Sequence, residues 1–218
     1  MLAIRRLPLK SIITIGRQFG TGGHEIGRKL AEKLGIECYD KDLIKKAAED
    51  SGLCSEIFEH NDERPTNSFL YNLVMDTYSF GITNSNYVDM PLSHKVFLAQ
   101  FDTIKKLASE GPCVIVGRCA DYALADYDNV LNLFIYGNMD KRIERVMHKY
   151  EVSEKDARDM ILKKDKQRAS YYNYYSTKKW GKAETYNLCV DSTVLGRDGT
   201  VELLYQFVMD YEKMIAND

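Results

Sequence analysis

An α/β fold, with a parallel sheet held between two layers of helices, is the architecture this sequence predicts, and three observations carry it. Five short apolar runs alternate with helical periods along 218 residues, the pattern of strands joined by helical crossovers. The first run passes without a gap through a glycine-rich turn into a helix, from Ser11 to Leu34. A later run, CVIVG at 113–117, follows the break at Gly111-Pro112 and reads as a strand buried on both faces.

In the opening unit, Ile12, Ile13 and Ile15 form a β-branched run, and Ile26, Leu30 and Leu34 recur at helical spacing with Arg28, Lys29, Glu32 and Lys33 left for solvent. Gly35 stops the helix. Between strand and helix lie Gly16, Gly20, Gly22 and Gly23, a loop able to turn backbone N–H groups toward an anion at a helix N-terminus. It is not a standard Walker A loop, because Gly16 to Gly22 is one residue too long. With Gly20-Thr21-Gly22 matched to Gly-x-Gly, Gly23 stands where the phosphate-binding lysine belongs, followed by His24 and Glu25. Compensating charge would come from Arg17, Arg28 or elsewhere, with protonated His24 as a helper. The plain alternative is an ordinary glycine-rich turn.

Ile36 to Tyr39 is the next strand, and Asp40 can cap a helix from Lys41 bearing Leu43, Ile44, Ala47 and Ala48 and ending at Gly52. Phe69, Leu70, Leu73 and Val74 suggest another helix, whereas residues 79–92 have no period and read as a loop over a substrate site. A helix from Ser93 to about Ser109 leads into 113–117, which delivers Gly117 and Arg118 to the carboxyl end of a strand, where ligands gather in open parallel sheets. Arg118 is a forked ligand for phosphate or carboxylate; its plain reading is a surface arginine paired with Asp121. Val130 to Tyr136 is the fourth strand. Met139 to Lys149 is a helix presenting Arg142 and Arg145. Ser153 to Asp156 resembles a capping box opening a helix toward Arg168, which sets Lys164 and Arg168 on one face beside Asp165. The last strand is expected over Tyr186 to Val190 and a terminal helix from Asp198 or Thr200.

A net charge of −2 with no basic run and no long apolar segment points away from nucleic acid and membrane. Tyr171, Tyr172, Tyr174, Tyr175 and Trp180 among Lys178, Lys179 and Lys182 are expected to pack the helix onto the body rather than stack on bases. Five cysteines, Cys38, Cys54, Cys113, Cys119 and Cys189, lack metal-ligand spacing and suit buried thiols in a reducing cytoplasm. Residues 1–10 do not read as a signal peptide. A single domain over 1–218 is expected.

Taken together, TIGRQFGTGGHEIGRKLAEKLG, YDKDLI, VIVGRCADYAL, KKDKQRASYYNYYSTKKW and YNLCVDSTVLG resemble the cytidylate kinase-like family of P-loop nucleoside monophosphate kinases. The resemblance implies a P-loop kinase sandwich with a five-stranded parallel sheet in the order 2-3-1-4-5, an acceptor-binding region at about 40–92 and a helical lid at about 150–182. It implies ATP and Mg²⁺ as cofactors and a nucleotide or another small molecule as substrate. Gly16, Arg17, Gly20, Thr21, Gly22, Gly23 and His24 would meet the donor phosphates. Arg118 with Asp40 and Asp121 would meet the acceptor, and Arg118, Lys164 and Arg168 would serve the transfer. Glu25, Asp40 and Asp121 are alternative water-mediated partners for Mg²⁺. Two departures stand out: the loop lacks its lysine, and Cys119-Ala120 separate Arg118 from the aspartate that follows directly in cytidylate kinases. ATP-dependent phosphorylation of a nucleoside monophosphate, CMP-like, is the expected activity. A nucleotide sensor that keeps the fold without efficient catalysis, and a kinase acting on another metabolite, are its rivals, and the missing lysine bears on the choice.

Overall fold

The computed structural model describes residues 9–40, 46, 50 and 92–216. The expected helices after Lys41 and around Phe69 to Val74, the loop at 79–91 and Cys54 lie outside the described residues, as does most of the acceptor-binding region inferred from the resemblance.

The β-branched run forms β1 (Ile12–Arg17), and the amphipathic period forms α1 (Gly23–Leu34). They are followed by β2 (Glu37–Tyr39), α2 (Leu92–Glu110), β3 (Cys113–Val116), the single turn α3 (Ala120–Ala123), β4 (Val130–Tyr136), α4 (Met139–Tyr150), α5 (Glu154–Tyr175), β5 (Leu188–Asp191) and α6 (Ser192–Ile215). The strands make one parallel sheet in the order β2-β3-β1-β4-β5. This is the expected order.

Alternation along the strands divides the core. Ile13 and Ile15 of β1 and Val114 and Val116 of β3 face α1 and α6, while Ile12, Cys113 and Ile115 face the side closed by Ile104 and Leu107 of α2 and Ala120 and Ala123 of α3. The carboxyl ends of β1 and β3 are thereby presented together. Glu212, 3% exposed, accepts from the backbone N–H groups of Lys10 and Ser11 and ties the end of α6 to the start of β1.

Two boundaries differ from the sequence reading. Residues 183–185 form a turn of 3₁₀ helix, so β5 starts two residues later than Tyr186, whose ring instead packs on Phe134 at 4.8 Å. The terminal helix begins at Ser192 directly off β5, because Asp191 caps it by accepting from the Thr193 N–H at 2.8 Å. The predicted start near Asp198 is the segment beyond a kink at Gly196, where φ is +67°. The Ser153 cap forms as expected, and α5 continues past Arg168 to Tyr175, burying Tyr171, Tyr172 and Tyr175 against Phe97 and Leu98 of α2. Among the described residues, Cys38, Cys113, Cys119 and Cys189 form no disulfide. Burial pushes the Cys113 thiol up to about 11, with Glu110 adding to it. Among the described residues, no helix is long and apolar enough to cross a membrane.

Candidate active site

The loop between β1 and α1 is held by its carbonyls, four bonded from other elements and one, that of Gln18, from within the loop. Five in succession accept from side chains: Arg17 O from Arg168 at 3.2 Å, Gln18 O from Thr21 Oγ1 at 2.8 Å, Phe19 O from Arg142 Nε at 2.7 Å, Gly20 O from Arg145 at 3.0 Å and Thr21 O from Ser192 Oγ at 3.0 Å. The N–H groups of Gly22, Gly23 and His24 take no acceptor among the described residues. Carbonyls turned out and N–H groups left at the head of a twelve-residue helix make a loop suited to an anion. Arg142, 3% exposed along its side chain, also pairs with Asp165, whose other oxygen accepts from the Phe19 N–H at 2.7 Å. In this way α4 and α5 brace the loop.

Gly23, which holds the place of the absent lysine, is enclosed by Arg17. A Cβ on Gly23 would lie 2.7 Å from Arg17 Cβ and 2.9 Å from Arg17 Cγ. The stem of a buried arginine from the last position of β1 therefore occupies the space a lysine at 23 would need. Gly23→Lys is expected to destabilise the protein by about 1–3 kcal/mol through overpacking, read as a lowered urea midpoint, and to leave ATP affinity no tighter than wild type.

Beyond Arg17 lies Asp40, at the end of β2. Its carboxylate meets Arg118 on one oxygen and His24 Nδ1 at 2.5 Å on the other. Burial disfavours its charge, but Arg118, Arg17 and His24 outweigh burial and hold the carboxyl below the usual carboxylate range. The sequence suggested Asp121 as the plain partner of Arg118; Asp40 takes that place. The reason is backbone conformation, since Gly117, Arg118 and Cys119 all have positive φ, at 84°, 52° and 54°. Two successive non-glycine residues in the left-handed region are uncommon and cost free energy. This turn accompanies an Arg118 side chain that bonds back to Val116 O at 3.0 Å and across to Asp40. Asp121 is buried separately, bonded by the Tyr172 hydroxyl with Lys178 at 3.9 Å. Burial raises its pKa against the opposing effects of Tyr172 and Lys178.

A cavity of about 30 Å³ lies among these groups, lined by Gly16, Arg17, Arg118, Asp121, Arg168 and Tyr172 with their neighbours. It has room for water but not for a nucleotide. Arg168 reaches it from α5, its guanidinium 5.9 Å from the centre of the Phe19 ring. Lys164, one turn earlier, is exposed and does not line the cavity. On the other side of the loop a groove of about 300 Å³ opens between α4 and the start of α6, lined by Lys141, Glu144, Arg145, His148, Ser192, Thr193 and Gly196. Gly20 faces Arg142 and Val146 of α4, whereas a Cβ on Gly22 would lie 3.0 Å from Arg197 Cδ and 3.2 Å from an Arg145 nitrogen. Arg197 and its pairing with Glu25 had no signal in the sequence, and Arg142 and Arg145 were visible there only as basic positions on a helix.

The model of the cytidylate kinase-like family matches residues 12–194. The chain belongs to this family. Membership makes it a nucleotide-binding phosphotransferase, as the outward-turned loop and the neighbouring arginines suggest. A crystal structure of an uncharacterized protein from Eubacterium ventriosum is 30% identical, with a TM-score of 0.66 over 91% of this chain and 98% of that one. Shikimate kinase from Bacteroides thetaiotaomicron shares the fold at 12% identity, with a TM-score of 0.53 over 92% of this chain and 99% of that one. No curated protein matches the sequence.

Proposed function

We propose that the protein transfers the terminal phosphoryl group of ATP to a nucleoside monophosphate, CMP-like, or to a related small anionic acceptor. The observation that carries this reading is the loop's polarity: the carbonyls of Arg17, Phe19, Gly20 and Thr21 are engaged by side chains of α4, α5 and α6, that of Gln18 by Thr21 within the loop, and N–H groups at the head of α1 are left for phosphate. The 300 Å³ groove beside it has the size of a small-ligand site and suits the nucleoside part of the donor. On the opposite side Arg118, Arg17 and Arg168 border one cavity, a concentration of forked cations suited to an acceptor phosphate.

In this reading an oxygen of the acceptor attacks the terminal phosphorus of ATP, the bond to the bridging oxygen breaks, and ADP leaves. Protein groups hold the reactants in line and offset the charge that builds on the transferred oxygens. Asp40 positions Arg118, with His24 joining that pair to the first turn of α1. Arg168, from the lid-like region at about 150–182, spans the Arg17 carbonyl and the acceptor cavity. Lys164 would contribute only on a rearrangement of α5, being exposed here.

Among the described residues no three metal-binding side chains cluster. Glu25 is held by Arg197, Asp40 by Arg118 and Asp121 by Tyr172. This donor set fits a cation that arrives on the phosphates of the nucleotide and meets protein through water. When bound, Mg²⁺ would neutralise phosphate charge.

A second reading, nucleotide binding without efficient turnover, draws on the glycine at position 23. Calorimetry with ATP, followed by a coupled assay of ADP release against a panel of nucleoside monophosphates and small hydroxyl or carboxylate metabolites, separates the two. The kinase reading expects ATP binding and acceptor-dependent ADP release, with the acceptor phosphorylated. ATP binding with no acceptor stimulating turnover would favour the sensor, and absence of ATP binding would exclude both.

A further inference from the structure

We infer that Arg145 and Arg197 together form the cation site for the donor polyphosphate, standing in for the lysine that the loop lacks. The inference rests on the ATP reading above and assigns a part of that site that the motif does not contain. The two arginines come from different elements, Arg145 from the middle of α4 and Arg197 from just past the kink of α6, and meet over one glycine. Gly22 lies within 3.0 Å of Arg197 Cδ and 3.2 Å of Arg145 Nη1, measured from the Cβ it lacks.

Like charges this close repel in the absence of an anion. Burial and the neighbouring Arg197 both lower the Arg145 pKa, against a smaller opposing effect of Glu25. Glu25, the carboxylate at this point, is shared, paired with Arg197 and 3.5 Å from Lys29, while Lys29 is also held by Asp198 at 2.6 Å. The hydrogen bond of Arg145 among the described residues is to the Gly20 carbonyl at 3.0 Å. That bond holds its planar fork against the loop and leaves further N–H groups for a ligand. The ligand class that suits two arginines, the free N–H groups of Gly22 to His24 and the adjoining groove is a polyphosphate ester with its nucleoside in the groove. A lone phosphate would engage fewer of these groups, so the pair also selects for phosphate number.

The arrangement divides the cations of the site. Arg17 fills the lysine's space over Gly23 and lies with Asp40 on the acceptor side, whereas Arg145 and Arg197 stand on the groove side of Gly22. It also places Glu25 as an internal competitor that occupies Arg197 when no nucleotide is bound.

The test is calorimetric titration of the full chain with ATP and with AMP at two salt concentrations, for wild type, Arg197→Ala, Arg145→Ala, Arg145→Lys and Glu25→Gln. Arg197 is half exposed along its side chain, so its variant keeps the fold, and Arg145→Lys keeps a cation where truncation of Arg145 proves disruptive. Each alanine variant is expected to weaken ATP by about tenfold or more. AMP affinity should change by less than about threefold, and the salt dependence of ATP binding should flatten because fewer charges meet the phosphates. Glu25→Gln should tighten ATP, the opposite sign. Wild-type binding of ATP with unchanged affinity in folded Arg197→Ala would overturn the inference and leave the donor reading intact. Equal losses for ATP and AMP would overturn it too, as a structural role for the pair. If wild type binds no ATP, the donor reading fails and this inference falls with it.

Discussion

Gly22→Val is expected to abolish measurable ATP binding while leaving a recognisable fold. Gly22 has φ of +83°, a conformation that a β-branched side chain adopts only at a cost of roughly 1–2 kcal/mol or more. Its new Cβ would press on the Arg197 stem and the Arg145 guanidinium, and the valine methyls would cover the N–H groups at the head of α1. That cost lowers the stability of the domain without exceeding the roughly 5–15 kcal/mol typical of one, so the chain still folds and the loss of binding falls on the ligand site. Calorimetry shows the loss, and circular dichroism with a urea melt shows that the chain still folds. A folded variant that binds ATP like wild type would put the donor site elsewhere in the molecule.

Arg168→Ala is expected to lower turnover by about a hundredfold or more, with ATP affinity nearly unchanged. The magnitude is that of removing one preorganised donor aimed at transition-state charge. Arg168 bonds the Arg17 carbonyl and borders the cavity with Arg118, so it touches both the loop's entry and the cavity proposed for the acceptor. A cation in that position acts on charge that develops during transfer more than on bound nucleotide. Arg168→Lys should recover only part of the rate, because a lysine keeps the charge and loses the fork. Single-turnover kinetics with the acceptor identified by the panel would report the change in the chemical step. An unchanged turnover number in Arg168→Ala would remove this residue from the mechanism and make its contact with the loop purely structural.

Both expectations depend on loop residues that local sequence identified and on partners that it did not. The alternation of apolar runs with helical periods was enough for a parallel α/β sandwich, because strand and helix periods are properties of a few consecutive residues. Glycines before an amphipathic helix likewise marked the turn between β1 and α1 from local chemistry. The resemblance supplied the strand order, which the sheet reproduces. The edge of the last strand was less legible. Asp191-Ser192-Thr193 reads as a polar strand end, yet the same aspartate caps a helix that starts at once, and Gly196 carries a bend just before the start expected at Asp198 or Thr200.

What the sequence by itself determined is the sheet, its helices and the glycine loop, since each follows from side-chain period and turn chemistry within a short window. Only the tertiary structure decided how the charges are partnered. Arg118 meets Asp40 from 78 residues away, and Arg197 meets Glu25 from 172. No spacing rule connects such positions; they meet because parallel pairing brings the ends of β1, β2 and β3 to one edge and because α4 and α6 flank the same loop. The missing lysine was visible at once. That an arginine stem fills its space, and that two further arginines converge on the next glycine, depends on where whole elements pack, which the burial of Ile13, Ile15, Val114 and Val116 between helices enforces.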